Sequence, residues 1–309
     1  MRIIITEEMK FRKKVVEYAI KHNNNALAAR RYHTSRQQVQ RWRKKYDGTI
    51  QSLANKSRRP HSHPNQHTEE ELELIKQKLR YHGHEGHAQV YKKLLEAGYK
   101  RSFGSMSKQI RKMKQEPKPK KRKRKTTRKT TKTNYPGELV QVDVKYVPLE
   151  CIGFESDVDR YYQITAIDVF TRKRYIKLVK EHSTYETAKF ALELEKKLGF
   201  KIKTIQTDNG KEFTNNAIDT PKTSLFQKVL KKLGIKHITT RPYSPWQNGH
   251  VERSHRTDNE LFYDKKRFKS EEEMYKAHKR YNTRTNNIAK QVLGFKTPNE
   301  ILEEFKNAA

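Results

Sequence analysis

The chain has one cysteine, Cys151, in 309 residues. No intramolecular disulfide framework is open to it, and such usage fits a reducing interior. No apolar run approaches the roughly 20 residues that a bilayer-spanning helix needs, so no membrane partner is expected. The opening MRIIITEEMKFRKK has only a short apolar stretch before charges begin, which argues against a secretory signal. Acids are scarce as well: 35 Asp and Glu face 69 Lys and Arg, for a formal net charge of +34. An excess of that size exceeds what solubility requires and attracts polyanions, chiefly phosphate backbones, in a salt-dependent way. Hydrophobic residues make up 33%, enough for ordinary cores, and the length suggests two or more domains.

Charge runs mark the divisions. Residues 117–133, PKPKKRKRKTTRKTTKT, hold ten bases and no acid or apolar side chain. Such a run buries nothing and reads as a linker that meets phosphate, with Lys121, Arg122, Lys123 and Arg124 at its centre. The expected order is a helical module over 1–50, a Pro- and His-rich linker over 51–67, a second helical module over 68–116, the basic linker 117–133, a larger α/β domain over 134–268 and a helical extension over 269–309.

In the first module Val15, Tyr18, Ala19 and His22 have helical spacing, NNNALAARRYH supplies a second helix and TSRQQVQRWRKKY a third. Thr34 and Ser35 can cap the third helix, and Asp47-Gly48 can end it. Val39, Trp42 and Tyr46 form a stripe toward a core, so Arg36, Gln37, Gln40, Arg41 and Lys44 are expected to face outward. Arg and Gln on an exposed helix suit guanine and adenine edges in the major groove. The second module shows three stripes: Leu72, Ile75 and Leu79; Val90, Leu94 and Leu95; Met106, Ile110 and Met113. Its basic face would comprise Ser105, Ser107, Lys108, Arg111, Lys112 and Lys114. The histidines of HSHPNQH and YHGHEGH are read as polar loop residues, because a zinc site wants thiolates or a defined helical pair and Cys151 is far away.

Beyond residue 134 three acids stand out. Asp143 lies in LVQVDVKYVPL, an alternating strand whose polar side is expected to be the more solvated one. Asp208 ends IKTIQTDNGKEF, where a short strand stops at turn residues. Glu252 follows the breaker-rich PYSPWQNGHVERSHR, in the first turn of a helix over 250–263. Two Asp at strands and one Glu on a helix form a hard-oxygen set suited to Mg²⁺ or Mn²⁺ rather than Zn²⁺, which implies phosphoryl transfer assisted by two ions.

The strings GELVQVDVKYV, YYQITAIDVFTRKRY, TDNGKEF, RPYSPWQNGHVERSHRT and GFKTPNEIL, in this order, resemble the catalytic domain of DDE transposases and retroviral integrases, and most nearly the integrase-like transposases of bacterial insertion sequences. The segments before them resemble the homeodomain-like and second helix-turn-helix regions of such transposases. The resemblance implies N-terminal all-α helix-turn-helix modules followed by an α/β ribonuclease H-like core, with Asp143, Asp208 and Glu252 as catalytic metal ligands for two ions. It makes Asp168 a structural position and gives Arg253 and Arg256 as DNA contacts. The lysine found two turns past the glutamate in retroviral integrases is Asn259 here, so that contact is expected to be absent. The chain departs from the pattern in the 43 residues between Asp208 and Glu252, a longer gap than usual, which leaves Glu260 as the alternative third acid.

The expected function is binding of a mobile element's terminal inverted repeats, then metal-dependent cleavage and strand transfer into target double-stranded DNA. A homo-oligomer on DNA in the bacterial cytoplasm, at the nucleoid, would carry this out. Two other classes stand beside it: a transposase-derived regulator that only binds DNA, against which the intact acidic triple argues, and a metal-dependent nuclease that only hydrolyses.

Overall fold

The protein is described from a computed structural model covering residues 5–55, 60, 63–115, 132–214, 223–241 and 244–308. The expected tether residues Lys121, Arg122, Lys123 and Arg124, together with His61, lie outside the described residues. Contacts divide the chain into two units, 1–66 and 67–309.

Polar caps begin each helix of the first unit. Thr6 precedes α1 (Glu7–Lys21), Asn24 precedes α2 (Asn25–Arg31) and Ser35 precedes α3 (Arg36–Lys45), and each side chain accepts a backbone N–H of the first turn. Losing such a cap costs about 1 kcal/mol. Val15, Ala19, Ala28, Ala29 and Val39 form the core, with Tyr18, Tyr32 and Trp42 packed on it. Trp42 meets the edge of Phe11 at 6.3 Å and lies under the Arg12 guanidinium at 5.6 Å, as a core anchor. Arg36, Gln37, Gln40, Arg41 and Lys44 are all exposed on the opposite side of α3.

The second unit opens with α4 (Glu69–His82), α5 (His87–Glu96) and α6 (Phe103–Met113). Thr68 and Glu71 close a capping box on α4. Ile75, Val90, Leu94, Tyr99, Met106 and Ile110 are buried together, whereas Leu95, expected in the same stripe, is 45% exposed. The inward pair on α5 is Val90 and Leu94, one turn apart, and Leu95 is rotated away from them by the helical step. Lys108 and Lys112 are exposed, while Ser105 and Arg111 are half-buried. His67 is buried with Nε2 2.8 Å from the Tyr99 hydroxyl and Nδ1 3.0 Å from the Gln109 amide, so both ring nitrogens are engaged. These helices pack on the C-terminal stretch: Lys92 pairs with Glu300, Arg284 Nε lies 2.9 Å from Glu85 Oε1, and Ala289 N donates to Gln89 Oε1 at 2.7 Å.

The sheet contains β1 (Val140–Tyr146), β2 (Tyr162–Asp168), β3 (Arg174–Val179), β4 (Thr204–Thr207) and β5 (Lys236–Thr239) in the order β3-β2-β1-β4-β5. The hairpin strands β1, β2 and β3 are antiparallel neighbours, and β4 and β5 add in parallel. On one face α7 (Thr184–Leu198) and α8 (Leu225–Lys232) bury Val140, Val142, Ile164, Phe190, Leu194 and Phe226. On the other lie α9 (Gly249–Leu261) and α10 (Glu271–Thr285), followed by α11 (Pro298–Ala308). Helical N-terminal modules followed by this ribonuclease H-like α/β core are the fold that the sequence led us to expect.

Candidate active site

The polar side of β1 is not the solvated one. Gln141, Asp143 and Lys145 alternate with the buried valines and point at α9, which covers them. Gln141 Oε1 accepts the backbone N–H groups of His250 and Val251 at 3.0 and 3.4 Å, and its amide donates to the Gln247 carbonyl at 2.7 Å. Gln206 on β4 donates to the same carbonyl at 3.1 Å. Lys145 donates to the Asn259 side chain and lies 4.7 Å from the centre of the Tyr263 ring. Asn259 is thus met by a lysine from β1. Through Gln141 and Lys145, β1 holds both the start of α9, where Glu252 lies in the first turn, and its later part at Asn259.

A buried charge cluster fixes the middle of α9. Asp258 is fully buried and accepts from Arg174 Nη2 at 2.9 and 2.7 Å, from Gln163 at 2.8 Å and from the Tyr281 hydroxyl at 2.9 Å. The Arg174 charge holds Asp258 below the usual carboxylate range against the effect of burial. Sequence reading missed this cluster, because Asp258 within a polar helix looks like any solvated acid.

Asp208 follows β4 directly, and its Oδ1 accepts the Gly210 N–H at 3.0 Å in a tight turn. The Glu212 carboxylate lies over Gly210, so a side chain there would make it shift. Glu212 is buried and lies 3.0 Å from His182 Nε2. It went unremarked in the sequence although it sits inside TDNGKEF, the string that pointed to Asp208.

Asp143 and Glu252 each feel a neighbouring acid. Burial, then the charges of Asp208, Glu252 and Glu212, push Asp143 up to about 7 against the pull of a Val144 N–H bond at 3.0 Å. Burial and Glu212 raise Asp208, opposed by the Gly210 N–H and by His182. Partial enclosure and Asp208 raise Glu252, although the residue as a whole is exposed. Glu260, the alternative, is exposed and accepts from Arg256 Nε at 2.8 Å. Asp168 is buried and saturated by the Gly137 N–H and by the Thr171 N–H and hydroxyl at 2.9, 2.7 and 2.7 Å, which makes it a turn-holding residue. Arg253 and Arg256 are exposed on α9.

Among the described residues no three His, Cys, Asp or Glu side chains reach the spacing of a shared ion. The donor set nonetheless fits a hard divalent cation: carboxylate oxygens carried on the sheet and α9, with Asp143 raised by the charges of Asp208 and Glu252 and, among the described residues, no lysine or arginine ion-paired to Asp208 or Glu252.

Sheet order and the covering helix together define a ribonuclease H-like core. Comparison with known proteins agrees. Residues 133–245 and 233–291 each match a family model described as integrase core domain, and residues 11–61 match a helix-turn-helix domain. Residues 133–291 of the chain are thus similar to integrase core domains. It is 34% identical over 133 residues to ORF3 of Spiroplasma virus SpV1-C74, described as an integrase, a match covering 40% of this chain and 36% of that protein. It is 26% identical over 170 residues to the transposase for insertion sequence element IS4351 of Bacteroides fragilis, covering 55% of this chain and 48% of that one. These matches thus span under half the length of either relative. The catalytic core domain of BIV integrase aligns with a TM-score of 0.40 at 21% identity, over 56% of this chain and 97% of that one. No described helix is long and apolar enough to cross a membrane.

Proposed function

We propose that the protein is a DDE transposase that binds the terminal inverted repeats of a mobile element and catalyses cleavage and strand transfer. What supports this reading is the placement of Asp143 on β1, Asp208 just past β4 and Glu252 in the first turn of α9, with the charges of Asp208 and Glu252 both raising Asp143 and that of Asp208 raising Glu252. Asp143, Asp208 and Glu252 would hold Mg²⁺ or Mn²⁺, two ions by family resemblance, which when bound supplies Lewis-acid activation of the nucleophile and neutralisation of charge on the leaving oxygen.

The chain's own residues supply position. The Gln141 and Asp258 anchors hold α9 rigidly against the sheet, so that Glu252 cannot drift from the strand acids. Arg253 and Arg256, exposed beside Glu252, would neutralise the phosphates that flank the reacting one. In the first step a water oxygen attacks phosphorus in line, and the 3′ oxygen leaves with a proton as a 3′-hydroxyl. In the second that hydroxyl attacks a target phosphodiester, forming one P–O bond as another breaks, with no covalent enzyme intermediate. On α3, Arg36, Gln37, Gln40, Arg41 and Lys44 would read base edges, and Ser105, Lys108, Arg111 and Lys112 would contact the second part of the repeat. The 117–133 run, with the sites 121–124, would track the backbone between these modules and the core. Bringing two ends together calls for a homo-oligomer on DNA.

Incubating the protein with labelled duplexes carrying the inverted repeats beside its reading frame, target plasmid and Mn²⁺ tests the proposal. Joined product is expected. Binding alone would identify a regulator, and cut ends without joining would identify a nuclease.

A further inference from the structure

The face of α9 turned away from the acids lines a basic cavity. His250, Arg253, Ser254 and Thr257 follow one helical stripe, whereas Glu252, His255 and Asn259 follow the opposite one. With Arg172 and Lys290 the first stripe encloses about 460 Å³, and a neighbouring cavity of about 370 Å³ shares Arg172 and His250 and ends at Lys132. Among the described residues no Asp or Glu lines either. The two buried acids of this region are already engaged: Asp168 holds the β2–β3 turn, and Asp258 holds Arg174, Gln163 and Tyr281.

Arg172 is held at the tip of that turn with φ +62°, in the left-handed region that an arginine enters only at a cost. Its Nη1 is buried without a hydrogen-bond partner. An unmatched guanidinium nitrogen in a strained turn is expensive unless something completes it. Lys290 is half-buried, and burial together with the Arg174 charge brings its pKa down to about 8. Besides Arg174, which Asp258 neutralises, three cationic side chains therefore face one cavity, with no Asp or Glu among its described lining residues. We propose that Arg172, Lys290 and Arg253 bind a phosphate group here, either free or within a nucleic-acid backbone, at a site distinct from the three acids. Arginine's planar fork suits two phosphate oxygens at once, and lysine adds a point charge. Capture of phosphate requires neither the acids nor strand transfer, so its failure is separable from failure of the transposase reading.

The test uses the full chain. Phosphate binding is followed by calorimetric titration and by the melting temperature, against chloride at equal ionic strength. The parent and a Lys232→Gln control, which removes one exposed charge elsewhere, should melt higher in phosphate. Arg172→Gly and Lys290→Met should bind phosphate about tenfold more weakly or worse and lose most of that rise. Glycine accepts the left-handed turn, so Arg172→Gly should melt no lower than the parent without phosphate, which separates lost binding from lost folding. A second arm measures a short duplex across salt concentrations. A slope reduced by about 0.9 in both variants assigns the site to a DNA backbone phosphate, and an unchanged slope assigns it to free phosphate. If the parent shows no phosphate response beyond chloride, or both variants keep the parent's response, the site does not exist.

Discussion

The two sides of β1 do different work. Val140 and Val142 are fully buried against α7 and α8, and such contacts stabilise by area, with little regard to direction. Gln141, Asp143 and Lys145, one residue out of phase, meet α9 through hydrogen bonds and charge, which are directional. An apolar helix–sheet contact can slide and repack. A backbone N–H held by Gln141, or an Asp258 carboxylate held by Arg174, cannot shift without leaving a buried group unmatched. The lesson is that one face secures the fold while the other fixes where Glu252 stands.

That contrast can be broken most severely at the buried ion pair. Arg174→Met leaves Asp258 charged and unpaired and should destabilise the protein by about 3–5 kcal/mol, read from denaturant unfolding. The double variant Arg174→Met with Asp258→Leu should recover most of that loss, because neither charge then remains buried. If single and double variants were equally unstable, packing volume rather than charge would hold α9.

The acid face itself should oppose folding. Asp143 is raised from its ordinary value to about 7, so the folded state binds a proton that the unfolded state has released. Its unfavourable contribution is absent below the unfolded pKa and grows as pH rises toward the folded one. In EDTA at pH 8, Asp143→Asn should therefore be more stable than the parent by roughly 2–4 kcal/mol, and the gap should close by about pH 4. Mn²⁺ should raise the melting temperature of the parent more than that of the variant. A gap that does not change with pH would mean that the acids are not coupled.

A smaller effect is expected on the recognition helix, whose outward side chains touch no core. Gln40→Ala or Arg41→Ala should weaken binding to the cognate end by about 1–3 kcal/mol and to random duplex hardly at all, measured by titration at fixed salt. Equal losses on both would show that these side chains meet only phosphate.

Much of this was legible in the sequence, for identifiable reasons. Alternation predicted β1, and Ser35 announced α3 because a capping oxygen three residues before a free N–H is a local property. Asp143, Asp208 and Glu252 were visible through their flanking strings. The partners of those acids were hidden. Gln141 and Asp258 are polar residues at positions where polarity ordinarily signals solvent, and only the arrival of α9 and β3 from far along the chain turns them inward. Arg172 gave no signal, since neither its positive φ nor its unmatched nitrogen leaves a trace in composition.

The central claim, that Asp143, Asp208 and Glu252 act as one catalytic set, is tested most directly by the joining of labelled inverted-repeat ends to a target plasmid in Mn²⁺. Asp143→Asn, Asp208→Asn and Glu252→Gln should each lose joined product to below detection while binding the ends about as well as the parent, and Glu260→Gln should join normally. Joining retained by Glu252→Gln, or abolished by Glu260→Gln, would contradict it.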